Sequence, residues 1–143
     1  MPVNGYSVGR DISLNITVAT GPLQVAKITR FTSKQEATEI KVKGIDGITD
    51  NLLLPDGWSG SLDVERKDGT IDAYFDTLEN NYYSGVNNGE SSITETIQES
   101  TGGISQYRYE GVQLRYDSSG EWSGDATVKQ SLSWVAARRK KVV

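Results

Sequence analysis

The sequence predicts a mainly β domain that carries a single α-helix. Two patterns and one feature of the composition support this fold class. Over Trp58–Arg66, apolar and polar residues alternate with the period of a half-buried strand. After the turn at Asp68-Gly69, apolar residues recur with the spacing of an amphipathic helix, which we expect over about residues 71–84. The 15 Gly and 3 Pro among 143 residues suit a turn-rich β domain. The helical positions are Ile71, Tyr74, Phe75, Leu78 and Tyr82.

Before the helix, alternation and turn residues predict about four strands. The first ten residues show no sustained period and are interpreted as an arm. The predicted elements are, in order, the arm Met1–Arg10, a strand over Asp11–Ala19, a strand over Leu23–Thr32, a polar loop at Ser33–Ala37, a strand over Glu39–Lys43, turns within Gly44–Asn51, and the strand Trp58–Arg66.

The helix has recognisable ends, since Asp68 or Thr70 can cap its start and Gly85 stands where a C-terminal glycine belongs. About three further strands follow. They cover Ser91–Glu99, Ile104–Asp117 and Ala126–Ala136, and the last keeps a strict alternation that only Gln130 interrupts on its apolar side.

The second of these strands changes phase. Its apolar side chains occupy odd positions at Tyr107 and Tyr109 but even positions at Val112 and Leu114. One extra residue near Glu110-Gly111 explains the change, so we predict a β-bulge there. The hairpin Ile104–Ala136 is long for a small domain, and unpaired strand edges favour association with other subunits.

Composition excludes several kinds of chemistry. The chain has no Cys and no His, so disulfides, thiolate nucleophiles and Ser-His-Asp catalysis are absent. Asp63 and Glu65 share one strand face, and a hydrolase would have to depend on them, but the polar face of a strand predicts the same pair. Asp46 and Asp50 flank a glycine without the oxygen pattern of a calcium loop. We therefore predict no enzyme, and no catalytic, cofactor-binding or metal-binding residues.

The charged residues are distributed unevenly along the chain. The net charge is −4, but Arg138, Arg139, Lys140 and Lys141 close the sequence, and the remainder is strongly acidic. An acidic body is a poor ligand for phosphate backbones. We predict an N-terminal arm over residues 1–10, one β domain over 11–137, and a basic C-terminal tail over 138–143.

No apolar run is long enough to cross a bilayer, and the N-terminus does not resemble a signal peptide, so we expect synthesis in a cytoplasm and no membrane partner.

The aromatic residues leave a second functional interpretation open. Trp58 and Trp134 fall on apolar strand faces and are assigned to the core, whereas Trp122 lies in the turn Ser118–Gly124 and should be exposed. With nearby tyrosines, Trp122 could form a sugar-stacking platform of a carbohydrate-binding β-sandwich. The tyrosines considered are Tyr82, Tyr83, Tyr107, Tyr109 and Tyr116.

The acidic helix face has two interpretations. It is either a solvated surface or the wall of an anionic channel. The residues concerned are Asp72, Asp76 and Glu79.

Most of the chain, roughly residues 11 to 141, resembles the tail tube proteins of contractile-tailed bacteriophages. The segments that carry the resemblance are Asp50–Arg66, the helix end Asn81–Gly85, Ile93–Ile97, Tyr107–Tyr109 with Gly111-Val112, and Val128–Ser133 with Arg138-Arg139.

The resemblance implies a structural virion protein: a β-sandwich or bent sheet with one helix, working in stacked, hexameric rings whose inner sheets close into one large β-barrel. The implied partners are other copies of the chain and the tail sheath, baseplate and terminator proteins. DNA would pass through the lumen without specific binding, and an acidic lumen would repel its phosphates. The implied location is the virion tail, assembled in the host cytoplasm. The Met1–Arg10 arm, the Ser33–Ala37 loop and the basic C-terminus are candidates for contacts between rings. A tube initiator, a tube terminator or the tube of a secretion system is the related alternative. The carbohydrate-binding β-sandwich would, in this context, be a module of a tail fibre.

Overall fold

The computed structural model describes residues 2–23 and 27–142 as eight β-strands, one α-helix and a short 3-10 turn. The mainly β fold with one helix is thus confirmed. The turn is Gly9–Asp11 and the helix is α1, Thr70–Tyr83, one residue earlier at each end than predicted. The strands are β1 Ile12–Val18, β2 Gly21–Leu23, β3 Lys27–Lys43, β4 Thr49–Glu65, β5 Ser91–Gln98, β6 Ile104–Ser118, β7 Lys129–Ala136 and β8 Arg138–Lys141.

All eight strands belong to one antiparallel sheet that is strongly bent and does not close on itself. Its order is β2-β1-β5-β6-β7-β4-β3, and β8 pairs with β6. Phe31 on β3 contacts Tyr109 on β6 at 6.4 Å between ring centroids, although β4 and β7 lie between these strands. The two wings of the sheet therefore enclose a shared core.

The bend is located at the bulge that the sequence predicts in β6. Ser91 pairs with Val112 but Ile93 pairs with Tyr109, so β6 holds one extra residue there. Gly111 has φ +64°, a conformation that costs little only for glycine. Before the bulge β6 pairs with β5 and β8, and after it β6 pairs with β7. The prediction of a bulge at Gly111 is confirmed.

The largest difference from the predicted elements is the β3–β4 hairpin, two strands of 17 residues each. The polar loop predicted at Ser33–Ala37 is wrong, because this segment continues β3, with Ser33 paired to Gly60 and Ala37 paired to Pro55. The turns predicted within Gly44–Asn51 shorten to the tip around Gly47, and β4 already begins at Thr49. This hairpin, rather than Ile104–Ala136, is the longest of the fold.

Three further predicted boundaries differ from the described structure. Of the strand predicted over Leu23–Thr32, residues 24–26 lie outside the described part of the chain. The strand predicted to start at Ala126 begins only at Lys129, because the preceding residues belong to a loop. The basic segment set apart as a tail is, over Arg138–Lys141, strand β8 in the sheet.

The core is built from alternate residues of both wings and from the helix. Trp134 is its largest member, with 1% of its surface exposed, and Trp58 packs partly buried beside it. The assignment of both tryptophans to the core is confirmed. The buried residues are Ile16, Val18, Leu62, Val64, Ile71, Ile93, Tyr109, Val112, Leu132, Trp134 and Ala136.

Candidate assembly interface

One wing of the sheet ends in two free edges. We call β3, β4, β7 and the second half of β6, Gln113–Ser118, the four-stranded wing. The outer edge of β3 has no strand partner among the described residues. The pairing of β5 with β6 ends at Val112, so among the described strands Gln113–Ser118 pairs with β7 alone. Unpaired backbone groups on both edges can accept a strand from another chain.

A cleft runs beside the β6 edge. It encloses about 540 Å³ between α1 and the second half of β6, and it is open to solvent. Its walls are lined by Asp72, Phe75, Asp76, Leu78, Glu79, Leu114, Arg115 and Tyr116.

The two free edges carry opposite charge. On α1, beside the β6 edge, Asp76 and Glu79 are exposed and no basic residue lies within the helix. Strand β3 holds five basic residues against two acidic ones, Glu36 and Glu39. Opposite charges favour the approach of one edge to the other in a neighbouring copy. The basic residues of β3 are Lys27, Arg30, Lys34, Lys41 and Lys43.

The β3–β4 hairpin extends past the rest of the sheet. The pairing of β4 with β7 stops at Trp58 with Ala136, and from there outward β4 pairs with β3 alone. We call residues 37–55 the projecting ribbon. One of its faces is apolar, with four side chains each 41% to 49% exposed. They are Ile40, Val42, Leu52 and Leu54, placed on one face by the pairing of residue 40 with 52, 42 with 50 and 38 with 54. An exposed apolar face of this kind marks an interaction surface.

The helix is fixed beside the β6 edge by a hydrogen-bonded group. The hydroxyl of Tyr116 donates to Asp72 Oδ1 at 2.5 Å, and Gln130 Nε2 donates to the Tyr116 oxygen at 2.8 Å. Gln130 also donates to the Ser119 carbonyl at 3.2 Å and is 1% exposed. The residue that interrupts the apolar side of the last strand is thus a buried amide that joins β7, β6 and α1.

An ion pair between Arg66 and Asp72 strengthens the hydrogen-bonded group around Tyr116. Arg66 Nε lies 3.2 Å from Asp72 Oδ2. The hydrogen bond from Tyr116, together with Arg66, holds the pKa of Asp72 below its usual value of 3.8. Burial and the hydrogen bond to Asp72 raise the pKa of Tyr116. Asp72 is therefore ionised at neutral pH and accepts hydrogen bonds from the sheet.

Replacing Tyr116 by phenylalanine is expected to lower the free energy of unfolding by about 1–3 kcal/mol near neutral pH, because Asp72 and the buried amide of Gln130 lose a partly buried hydrogen-bond partner. The lowered pKa of Asp72 adds stability above pH 3.8, and this contribution is lost as the pH falls through the folded-state pKa. The difference between wild type and variant should therefore shrink in acid. Urea unfolding at several pH values measures it.

Tyr83→Phe is the matched control, since Tyr83 is 78% exposed at the end of the helix. It should leave stability unchanged at every pH. An equal loss in both variants, or a Tyr116→Phe loss that does not depend on pH, would contradict the role assigned to Asp72.

Strand β8 pairs with β6, and the side chain of Arg139 adds contacts with aromatic rings. Its guanidinium lies 3.7 Å from the ring centroid of Tyr107 and 4.8 Å from that of Trp58. Its buried Nε has no hydrogen-bond partner, so contact with the aromatic faces is what stabilises the cation there. On the outward face of β8, Lys140 pairs with Glu110 at 3.5 Å.

The structure does not bring the predicted sugar-stacking residues together. Trp122 is 71% exposed, as predicted, and its ring contact is with Arg66 at 5.2 Å. Tyr109 is fully buried, Tyr116 stacks on Phe75, and Tyr107 lies under Arg139. Tyr82 and Tyr83 are exposed and contact each other. Within the described chain, no tyrosine ring contacts Trp122.

The carboxylates considered as catalytic or metal-binding groups have structural partners. Asp63 accepts a hydrogen bond from Ser131 at 2.9 Å, and Glu65 lies 4.0 Å from Lys129 Nζ. Asp46 accepts from the Ile48 backbone N–H at 3.0 Å, which stabilises the hairpin tip. Among residues 2–23 and 27–142, no cluster of three or more acidic side chains has the geometry to hold a metal ion.

The sequence predicts unpaired edges for the hairpin Ile104–Ala136, and the β6 edge at Gln113–Ser118 lies within it. The edge of β3 was not predicted, and the alternation of β6 does not show where its pairing with β5 ends, although the phase change locates the bulge.

Within the described residues, no helix combines the length and the apolar character needed to span a membrane.

Comparison with solved structures shows that this fold recurs in tail assemblies. The chain resembles the tube-terminating cap of the anti-feeding prophage with a TM-score of 0.66 and 9% identity, over 99% of this chain and 93% of that one. It resembles the sheath/tube terminator of the extracellular contractile injection system PVC with a TM-score of 0.64 and 9% identity, over 100% of this chain and 98% of that one. No family model and no curated protein matches the sequence.

A third similar structure is a tail. The chain resembles a protein in the tail of an empty gene transfer agent particle, which has C6 symmetry, with a TM-score of 0.57 and 14% identity over 95% of this chain and 98% of that one. The fold therefore resembles that of phage-like tail and contractile-injection proteins along nearly its whole length. The resemblance to tail tube proteins that the sequence suggests is confirmed at the level of the fold.

Proposed function

We propose that this chain is a structural, non-enzymatic subunit of a phage-like tail tube. The observation that carries the proposal is the four-stranded wing with two free edges. Its strands run alternately up and down, in the order β3, β4, β7, β6. Because their number is even, the β3 edge of one copy would meet the Gln113–Ser118 edge of the next in antiparallel orientation. Repeated around a ring, this contact closes the wings into one continuous barrel without edges.

Several features support closure with further copies of the same chain. The β6 edge borders an open cleft, and the acidic helix beside it complements the basic strand β3. The apolar face of the projecting ribbon lies outside the wing and is available for contact with an adjacent ring. The tail of the gene transfer agent, which this fold resembles, has C6 symmetry, so we propose a hexamer. Stacked rings would form the conduit for DNA ejection, surrounded by sheath and joined to baseplate and terminator in the virion tail.

Reversing the charge of the helix should prevent assembly. In Asp76→Lys/Glu79→Lys, two exposed cations replace the carboxylates beside the β6 edge and repel the basic β3 of the neighbouring copy. We expect wild-type protein to form uniform rings or hollow tubes and the variant to stay monomeric with unchanged circular dichroism. Negative-stain electron microscopy over a concentration series and analytical ultracentrifugation measure both outcomes.

Glu121→Lys/Asp125→Lys makes the same change in net charge on exposed residues of the loop between β6 and β7. This control should still assemble. Isolated wild-type particles at every concentration, also when preformed tail ends are added as nuclei, would reject the proposed tube. Loss of assembly in both variants would show that net charge, and not the α1–β3 contact, governs association.

A tube terminator is the second candidate, because two of the similar structures are a tube-terminating cap and a sheath/tube terminator. A terminator would form single rings that bind the end of a tube. A tube subunit would instead stack into cylinders of increasing length. The length distribution of particles at high protein concentration separates the two.

A further inference from the structure

The solvent face of the four-stranded wing is polar and rich in hydroxyl groups. Thr32, Ser61, Ser133 and Arg115 stand in one row across the four strands, each paired with the next. Thr32 Oγ1 lies 2.9 Å from Ser61 Oγ, and Arg115 Nη2 donates to Ser133 Oγ at 3.4 Å. A shallow trough of about 500 Å³ runs over this row. The opposite face of the wing packs on the core.

Charge on this face differs from that of the whole chain. The chain has a net charge of −4, whereas the face holds five basic and five acidic residues and is neutral. Glu36 and Asp56 belong to it because Ser59 Oγ donates to Glu36 at 2.8 Å and Thr38 Oγ1 donates to Asp56 at 3.5 Å. The basic residues are Lys27, Arg30, Lys34, Arg115 and Lys129, and the acidic ones are Glu36, Asp56, Asp63, Glu65 and Asp117.

In every ion pair of this face the cation reaches further into solvent than the carboxylate. Lys34 is 76% exposed and Glu36, 3.9 Å away, is 45% exposed. Arg115 is 78% exposed above Asp117 at 36%, and Lys129 is 69% exposed above Glu65 at 21%. A ligand that approaches these three pairs therefore meets the cations first, and the carboxylates lie beneath them and partly screen them.

We propose that this face lines the bore of the assembled ring and makes weak, salt-sensitive contacts with the phosphate backbone of a nucleic acid. The inference rests on the proposed function, and it replaces the repulsive acidic lumen expected from the sequence. Closing the wings edge to edge puts one face inside the barrel. The other face carries β1, β2, β5 and α1, and a ring has room for that second layer only on its outside.

The side chains favour phosphate over the carboxylates of an acidic protein. Phosphate oxygens accept hydrogen bonds from Arg, Lys, Ser and Thr, and the trough places Arg115 and Lys34 beside hydroxyl groups. The carboxylates beneath the cations keep each contact weak, which suits a cargo that must slide. Contacts of this kind are lost as salt concentration rises.

The position of the face can be tested by labelling, because the chain has no cysteine. Val135→Cys introduces a thiol on this face, where Val135 is 55% exposed, and Thr77→Cys introduces one at an exposed position of α1 outside the cleft beside the β6 edge. In dissociated protein both should react with a bulky polyethylene-glycol maleimide. In assembled tubes only Thr77→Cys should react fully. Full labelling of Val135→Cys in intact tubes would overturn the assignment.

Nucleic acid contact is tested with assembled tubes and a short fluorescent single-stranded DNA at low salt. Wild-type tubes should retain the DNA and release it as salt is raised. The triple variant Lys34→Gln/Arg115→Gln/Lys129→Gln should reduce the slope of log affinity against log salt by about 2, the value for three lost phosphate contacts on a single strand. The control Lys67→Gln/Arg108→Gln/Lys141→Gln removes the same charge from exposed residues that lie outside both this face and β3, and it should leave the slope unchanged.

The outcomes separate the two proposals. If neither rings nor tubes form, the proposed function fails and this inference falls with it. If tubes form but both triple variants behave alike, or wild-type tubes retain no DNA at low salt, only the inference fails. Equal retention of polyglutamate and DNA would also reject it, because the face would then recognise negative charge without the hydrogen bonds of phosphate.

Discussion

Trp134→Ala should destabilise the domain by about 3–5 kcal/mol, the range for truncating a fully buried aromatic side chain. The indole stacks on Phe31 at 5.7 Å between ring centroids and meets Tyr109 edge-on at 4.7 Å. It thereby joins β3, β7 and β6 across the bend of the sheet. Its buried Nε1 has no hydrogen-bond partner, so the loss would come from packing alone. Urea unfolding followed by circular dichroism measures the change.

Trp122→Ala removes the same side chain from an exposed site, where its contact is with the Arg66 guanidinium. Its cost should stay at about 0.5–1 kcal/mol. The same variant tests the carbohydrate-binding alternative, since glycan binding that disappeared without a change in stability would revive it. Comparable destabilisation by both tryptophan variants would contradict the core described above.

The alternating patterns predicted those elements that have one buried face. Strand β5 alternates between core and solvent, and α1 presents Ile71 to the core, so period and burial agree in both. The bulge could be predicted because an extra residue moves Tyr109 and Val112, which are both buried, onto positions of different parity.

The errors lie where neither face of a strand is buried by the same chain. Ser33–Ala37 lies in the outermost strand of the four-stranded wing and Asp50–Asn51 lies in the projecting ribbon. Their side chains are largely exposed, so burial imposes no alternation on them. Turn-forming and polar residues are tolerated at these positions, so the sequence of these strand segments resembles that of loops. Such a ribbon gains little stability alone, which fits a segment whose partners belong to another subunit.

The candidate interface depends on pairing, which alternation does not reveal. Among the described strands, Gln113–Ser118 pairs with β7 alone because the pairing of β5 with β6 ends at Val112. The position of the acidic helix face could not be predicted from the sequence either. The sequence does not distinguish a solvated face from a channel wall, whereas the fold places α1 on the side of the wing opposite the hydroxyl-rich face.

Gly60→Ala should destabilise the domain by about 3 kcal/mol, the upper end of what overpacking usually costs. An added Cβ would lie 2.0 Å from the Thr32 carbonyl oxygen and 2.7 Å from Cζ2 of Trp134. The ring could move only at the expense of its stacking on Phe31, and the carbonyl belongs to the neighbouring strand. The substitution therefore forces β3 and β4 apart at the centre of the four-stranded wing, and it should impair assembly together with stability.

Gly103→Ala is the matched control, because a Cβ there would have no atom within 4 Å and its backbone does not require glycine. Its effect should stay within about 0.5 kcal/mol. Trp134→Leu in the Gly60→Ala background separates the two clashes, since a smaller side chain relieves the contact with the ring but not that with the Thr32 carbonyl. If the double variant loses no more stability than Trp134→Leu alone, the ring was the obstacle. A further loss assigns the clash to the β3 backbone, and equal behaviour of Gly60→Ala and Gly103→Ala would show that Trp134 does not pack against Gly60.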